Sequence, residues 1–234
     1  MSKSLFALPF VALALIAAKP APAPVVAAPA FNINPPAEIV ADKSNHLNIQ
    51  LSNGGTVVVL LRPDLAPNHV RRIQTLTSTG FYNGTAFHRV IPGFMAQGGD
   101  PTGTGSGDSP LPNLQAEFNN LPHMRGVLSM ARAEDPNSAN SQFFIMLAPT
   151  MTLDHKYTAL GRVISGMQFV DQIAPGEPPA APTKIVRAWL DGPMPPAPAV
   201  AAAAAAPAPQ ADAPAQPAAQ PATEQPKEEP ATGG

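Results

Sequence analysis

Arg89 is the residue of this chain whose type and setting point most directly to chemistry. It lies in AFHRVIPGFMAQGGD, residues 86–100, close to Phe87, Phe94 and Met95. Strand alternation would put its long cation on the same face as Phe87, and a guanidinium costs too much to bury unpaired. It is therefore either held in a salt bridge or aimed at a ligand. Other candidates are weaker. The glycine-rich GGDPTGTGSGD (98–108) lacks the Gly-Lys-Ser/Thr of a phosphate loop. A dinucleotide fingerprint starting at Gly103 would need glycine where Asp108 stands, so the stretch reads as a loop beside a groove. His46, His69, His88, His123 and His155 have no metal-ligand spacing, and no metal or cofactor is expected. Ser129 and Ser141 have no nucleophile elbow around them, which disfavours hydrolysis. Asn83-Gly84-Thr85 matches a glycosylation acceptor but reads better as a turn.

The elements that must position Arg89 are mostly strands. AFHRVI and FMAQG flank a Pro92-Gly93 breaker and predict a hairpin. LNIQL (47–51) and TVVVLL (56–61) flank Ser52-Asn53-Gly54-Gly55 and predict another. A helix is expected from Pro67, with Val70, Ile73 and Leu76 on one side and Gly80 as its end. GVLSMA, QFFIML and ALGRVI follow as strands, then a short helix over 167–173 and a closing strand over 184–190. There is no βαβ repeat, so the fold class is mainly β with accessory helices.

Composition confines this fold to the middle of the chain. Of 234 residues 31 are proline and none is cysteine, which excludes disulfides, thiolate catalysis and cysteine-based zinc. Ten Lys and Arg face ten Asp and Glu over 46–192, a balance that gives no nucleic-acid stripe. Lys3, the apolar run from Leu5 to Ala18 and the small residues at its end predict a secretory signal over 1–19 and a periplasmic or secreted protein. An Ala/Pro linker over 20–45 follows. The segment 193–234 has 16 Ala and 11 Pro and predicts a disordered tail, since it offers too little apolar surface to offset chain entropy.

Phe94, Met95, Phe144 and Leu153, with Arg89 and Gln97, are of the types that line a pocket about the size of a pyrrolidine ring. FHRVIPGFMAQGGD, GVLSMARA (126–133) and SQFFIML (141–147), in this order, resemble the cyclophilin family of peptidyl-prolyl isomerases, over roughly 46–191. The resemblance implies a closed eight-stranded antiparallel β-barrel capped by two α-helices, with the active face on the outside. It also implies catalysis by Arg89, with Phe94, Met95, Phe144 and Leu153 holding the proline ring. Gln97 and Gln142 would orient the peptide backbone, the main chain of Ala131, Arg132 and Ala133 would bind the residue before proline, and Gly103 and Tyr157 would border the groove. Arg132 replaces the asparagine common in the family, Tyr157 replaces a histidine, and Thr152 stands where many members have tryptophan. The last difference implies weak cyclosporin binding.

The activity so implied is rotation about an Xaa-Pro bond, whose resonance sets a barrier of roughly 18 to 20 kcal/mol. In the twisted state the prolyl nitrogen regains a lone pair, and a guanidinium aimed there stabilises that state over the ground state. The expected partners are proline-containing segments of unfolded or exported proteins, and the protein is expected to act as a monomer. The alternatives are a proline-peptide binding module or chaperone without turnover, and a structural envelope protein whose function lies in the tail.

Overall fold

The computed structural model describes residues 33–193. The expected signal over 1–19, most of the linker and the tail from 194 onward lie outside the described residues. The strands are β1 (His46–Leu51), β2 (Thr56–Leu61), β3 (Arg89–Ile91), β4 (Met95–Gly98), β5 (Val127–Met130), β6 (Phe143–Met146), β7 (Ala159–Ser165) and β8 (Ile185–Leu190). Helices α1 (Ala37–Ala41), α2 (Pro67–Ser78) and α3 (Met167–Val170) accompany them. The strands form one sheet in the order β3-β4-β6-β5-β7-β2-β1-β8, every neighbouring pair antiparallel.

Local chemistry explains most of these boundaries. Gly54, at φ +92°, makes the turn between β1 and β2, where Gln50 pairs with Thr56. Pro67 opens α2 in the first turn, where its missing N–H costs nothing. The carboxylate of Glu117 caps that end, accepting from the N–H groups of Asn68 and His69 and bonding His69 Nδ1 at 2.7 Å. Residues 37–45, which composition assigns to the linker, instead form α1 and a 3₁₀ turn whose Ser44 and Asn45 are buried. None of the residues of α1 is buried, and side-chain bonds from Asn45 to the Ile39 carbonyl and from Gln74 to the Ser44 carbonyl hold the segment.

The strand expected to begin at Ala86 begins at Arg89. Residues 84–87 turn instead toward the start of β8: Gly84 N–H donates to the Ile185 carbonyl, Ile185 N–H to Thr85 and Phe87 N–H to Thr183. Among the described residues these bonds, rather than a β3–β8 ladder, connect the two ends of the strand order.

Side chains alternate across the sheet and divide into two apolar clusters. Leu47, Ile49, Val59, Phe87, Val90, Ala96, Leu128, Phe143 and Ile145 belong to the main core, where α2 adds Val70, Ile73 and Leu76. Phe94, Met95, Val127, Phe144, Met146 and Leu153 form a second cluster on the opposite face.

Candidate active site

Cross-strand register builds the site on that second face. Arg89 pairs with Gln97, Gln97 with Phe144, and Phe144 with Ser129, so a single row crosses β3, β4, β6 and β5. Residues directly opposite in antiparallel strands share a face. The row two residues away contains Ile91, Met95 and Met146, and the apolar cluster fills the space beside both rows. The expectation that Arg89 shares a face with Phe87 fails. Phe87 and Val90 both enter the main core, and strand alternation starts only at Arg89.

Of the two alternatives for Arg89, the salt bridge is present. Its Nε donates to Glu177 Oε2 at 2.6 Å, while its two terminal nitrogens have no partner among the described residues. The apolar floor is assembled as expected: Phe94, Met95, Phe144 and Leu153 meet in one cluster with Ala131, and Tyr157 packs against it. Tyr157 sits edge-on to Phe144, centroids 5.7 Å apart, and the Arg132 guanidinium lies 4.7 Å from the Tyr157 ring centre.

The polar border is a chain of amides. Gln97 Nε2 donates to Gln142 Oε1 at 2.9 Å, and Gln142 Nε2 donates to the carbonyls of Gly105 and Gly107. The loop so held is organised from below by Asp100, which accepts from the Thr102 N–H and hydroxyl and from the Gly105 N–H. Burial pushes the Asp100 carboxyl up, but these donors more than offset it and hold the group below the usual carboxylate range. Gly103, at φ +71°, stands on this loop outside the apolar cluster, and a Cβ added there would meet nothing within 4 Å.

The main chain at 131–133 is partly committed. Ala131 N–H donates to the Gln142 carbonyl and Ala133 N–H to Ser138 Oγ, while the Arg132 N–H has no partner among the described residues. The Arg132 side chain ties neighbouring turns together, donating to the carbonyls of Ala133, Glu134 and Lys156.

Sequence reasoning missed four residues that support the site. The His123 ring stacks on Phe144, 6.2 Å between centroids and 20° between planes. Its Nδ1 meets Asp154 Oδ1 at 2.8 Å and its Nε2 meets Ser129 Oγ at 3.1 Å. Glu177 is the fourth. Asp154 lies 31 residues from His123, and Glu177 lies 88 from Arg89, so no short motif signals either pair. Ser129 is wholly buried beside Phe144 in the same cross-strand row, so the linked Asp154, His123 and Ser129 present no accessible nucleophile of the kind a hydrolytic triad needs.

Comparison with known proteins identifies the family of this fold. The family model described as "Cyclophilin type peptidyl-prolyl cis-trans isomerase/CLD" matches residues 46–189. A probable peptidyl-prolyl cis-trans isomerase of Brucella suis is 46% identical over 167 residues, covering 64% of this chain and 85% of its own. The human peptidyl-prolyl cis-trans isomerase-like 1 is 39% identical over 166 residues, covering 67% and 99%. Among solved structures, a cyclophilin from Hirschia baltica superposes with a TM-score of 0.60 at 32% identity, covering 64% of this chain and 74% of that one. A Cryptosporidium parvum cyclophilin-type isomerase, crystallised in the presence of the dipeptide Ala-Pro, gives a TM-score of 0.58 at 30% identity, covering 62% and 98%. The chain belongs to the cyclophilin-type peptidyl-prolyl cis-trans isomerase family, and it is a peptidyl-prolyl isomerase of mainly β fold.

Proposed function

We propose that Arg89 is the catalytic group of this isomerase and that the second apolar cluster is its proline pocket. The observation that carries the reading is the register row Arg89, Gln97, Phe144, which sets a cation with free terminal nitrogens beside an apolar floor. In this reading Phe94, Met95, Phe144 and Leu153 grip the pyrrolidine ring. Gln97 and Gln142 align the peptide, the free Arg132 N–H pairs with the residue before proline, and Gly103 and Tyr157 border the groove. Crystallisation of a relative of this fold in the presence of the dipeptide Ala-Pro supports proline-peptide recognition here.

As the Xaa-Pro bond twists, resonance is lost and the prolyl nitrogen becomes an acceptor for the guanidinium. That interaction strengthens only along the reaction coordinate, which makes it catalytic rather than merely adhesive. No covalent bond breaks. The bonds from residues 84–87 to 183–185 support a closed barrel, its active face outward. The wider reading is an exported monomer: a signal over 1–19, a linker to 45, an isomerase domain over 46–192 and a tail from 193, acting on prolyl bonds of proteins folding in the periplasm or outside the cell.

The test is kcat/KM measured beside proline-peptide affinity for wild type, Arg89→Ala and Arg89→Lys. Losing a preorganised charged donor costs roughly 10² to 10³ in rate, about 3 to 4 kcal/mol, with a much smaller loss of affinity. Lysine lacks the planar fork and recovers little of the rate. A parallel fall of rate and affinity would make Arg89 a substrate clamp instead.

A further inference from the structure

We propose that Glu177 is a positioning residue for Arg89, a role that rests on the reading of Arg89 given above. Its carboxylate accepts from Nε, the inner nitrogen of the guanidinium, at 2.6 Å. A blocking contact would take the outer fork in a bidentate pair. Here that fork stays open, while the Nε bond restricts rotation about the last side-chain torsions.

The carboxylate is itself rooted in β3. Gly176 and Val90 exchange two backbone hydrogen bonds, of 2.8 and 2.9 Å, so Glu177 springs from a point stapled one residue beyond Arg89. A Cβ on Gly176 would come within 2.6 Å of Pro179 Cα, so the loop takes this course only with glycine there. Pro178 and Pro179 restrict φ on the other side. Glu177 thus belongs to a built loop rather than to a loose surface chain.

The exposure of the pair decides what the contact is for. The side chains are 21% and 50% exposed, and an ion pair so open to water contributes little to stability. Its effect lies in geometry: a donor that must meet a transient lone pair has to be held near its productive direction before the bond twists. A misplacement of about 1 Å can cost on the order of a hundredfold in rate, and a partly tethered arginine loses less.

The experiment compares full-length wild type, Glu177→Ala, Glu177→Gln, Arg89→Ala and the Arg89→Ala/Glu177→Ala double variant by kcat and KM on one Xaa-Pro peptide. Glu177→Ala is expected to lower kcat about tenfold with KM within about twofold, and Glu177→Gln, which keeps an oxygen for the Nε–H, to retain most of kcat. The double variant should be no slower than Arg89→Ala, because the two residues act as a unit. The Nε–H resonance of Arg89 gives a readout independent of turnover: protected in wild type and Glu177→Gln, exchange-broadened in Glu177→Ala. Should Glu177→Ala fail to fold, the resonance and rate of Glu177→Gln decide. An unchanged kcat in Glu177→Ala, a rise that would mark Glu177 as a latch, or multiplicative losses in the double variant overturn the proposal. If Arg89→Ala itself turns over like wild type, the reading of Arg89 fails instead, whatever Glu177 does.

Discussion

Phe143 and Phe144 are neighbours in β6 whose rings belong to different apolar clusters. Phe143 packs edge-on to Tyr82 and Phe87 in the main core, whereas Phe144 lies between His123 and Tyr157 on the opposite face. Alternation along a strand produces this division without any change of residue type.

The division predicts opposite phenotypes for one substitution. Phe143→Ala leaves a cavity among buried neighbours and should cost about 3 to 5 kcal/mol of stability, with kcat/KM per folded molecule nearly unchanged. Phe144→Ala opens toward the proposed pocket, where solvent can relax the void. It should lose less stability but raise KM about tenfold, the scale of one lost apolar anchor. Thermal melts and steady-state kinetics on both variants check this, and the reverse pattern would invert the assignment of the two faces.

The same residues explain what was legible in the sequence. The turns and strand centres were, because Gly54, Pro67 and Gly93 act locally and apolar runs such as TVVVLL have no other reading. The apolar floor was legible through its resemblance to a family, although Phe143 and Phe144 cannot be told apart until register is known. Three features escaped. Arg89 falls on the face of Phe87 only if 86–88 reads as strand, and tertiary bonds from 84–87 to 183–185 break the alternation there. Arg72 carries no sequence signal of its own, yet it is buried and donates to the carbonyls of Asn140 and Pro112, partners 68 and 40 residues away. Glu177 sits in a proline-rich run whose composition suggests a loop and nothing more. Long-range polar pairing leaves no periodic trace, which is why all three belong to that class.

Thr152 lies exposed in the 3₁₀ turn Met151–Leu153, next to Leu153 of the second apolar cluster. Its small side chain offers neither the area nor the N–H of an indole, so cyclosporin is expected to bind weakly. An anchor contact of that kind is worth on the order of 2 kcal/mol, about thirtyfold in affinity. Thr152→Trp should therefore tighten the drug by roughly that factor while changing kcat/KM less. Calorimetric titration of both forms decides, and low-nanomolar inhibition of the wild type would show that the position does not govern the drug.

His123 predicts how stability depends on pH. Burial pushes its imidazole below the ordinary histidine value, and the hydrogen bond and charge of Asp154 only partly restore it. The neutral ring donates Nδ1–H to Asp154 and accepts at Nε2 from the Ser129 hydroxyl. Because the folded value lies below the unfolded one, near 6.5, the unfolded chain takes up the proton first as pH falls. The neutral ring's contribution is thus complete above about pH 6.5 and is lost as pH falls toward and through the lowered folded value, at no more than about 1.4 kcal/mol per pH unit. His88, also pushed down chiefly by burial, adds a second loss of the same sign. Unfolding midpoints measured between pH 5 and 7.5 should fall with acidity, and His123→Gln should flatten part of that slope while lowering stability at pH 7.5. Phe144 rests on the His123 ring, so the same variant should raise KM at neutral pH. Equal slopes in the two proteins would mean that His123 does not gain its proton on unfolding.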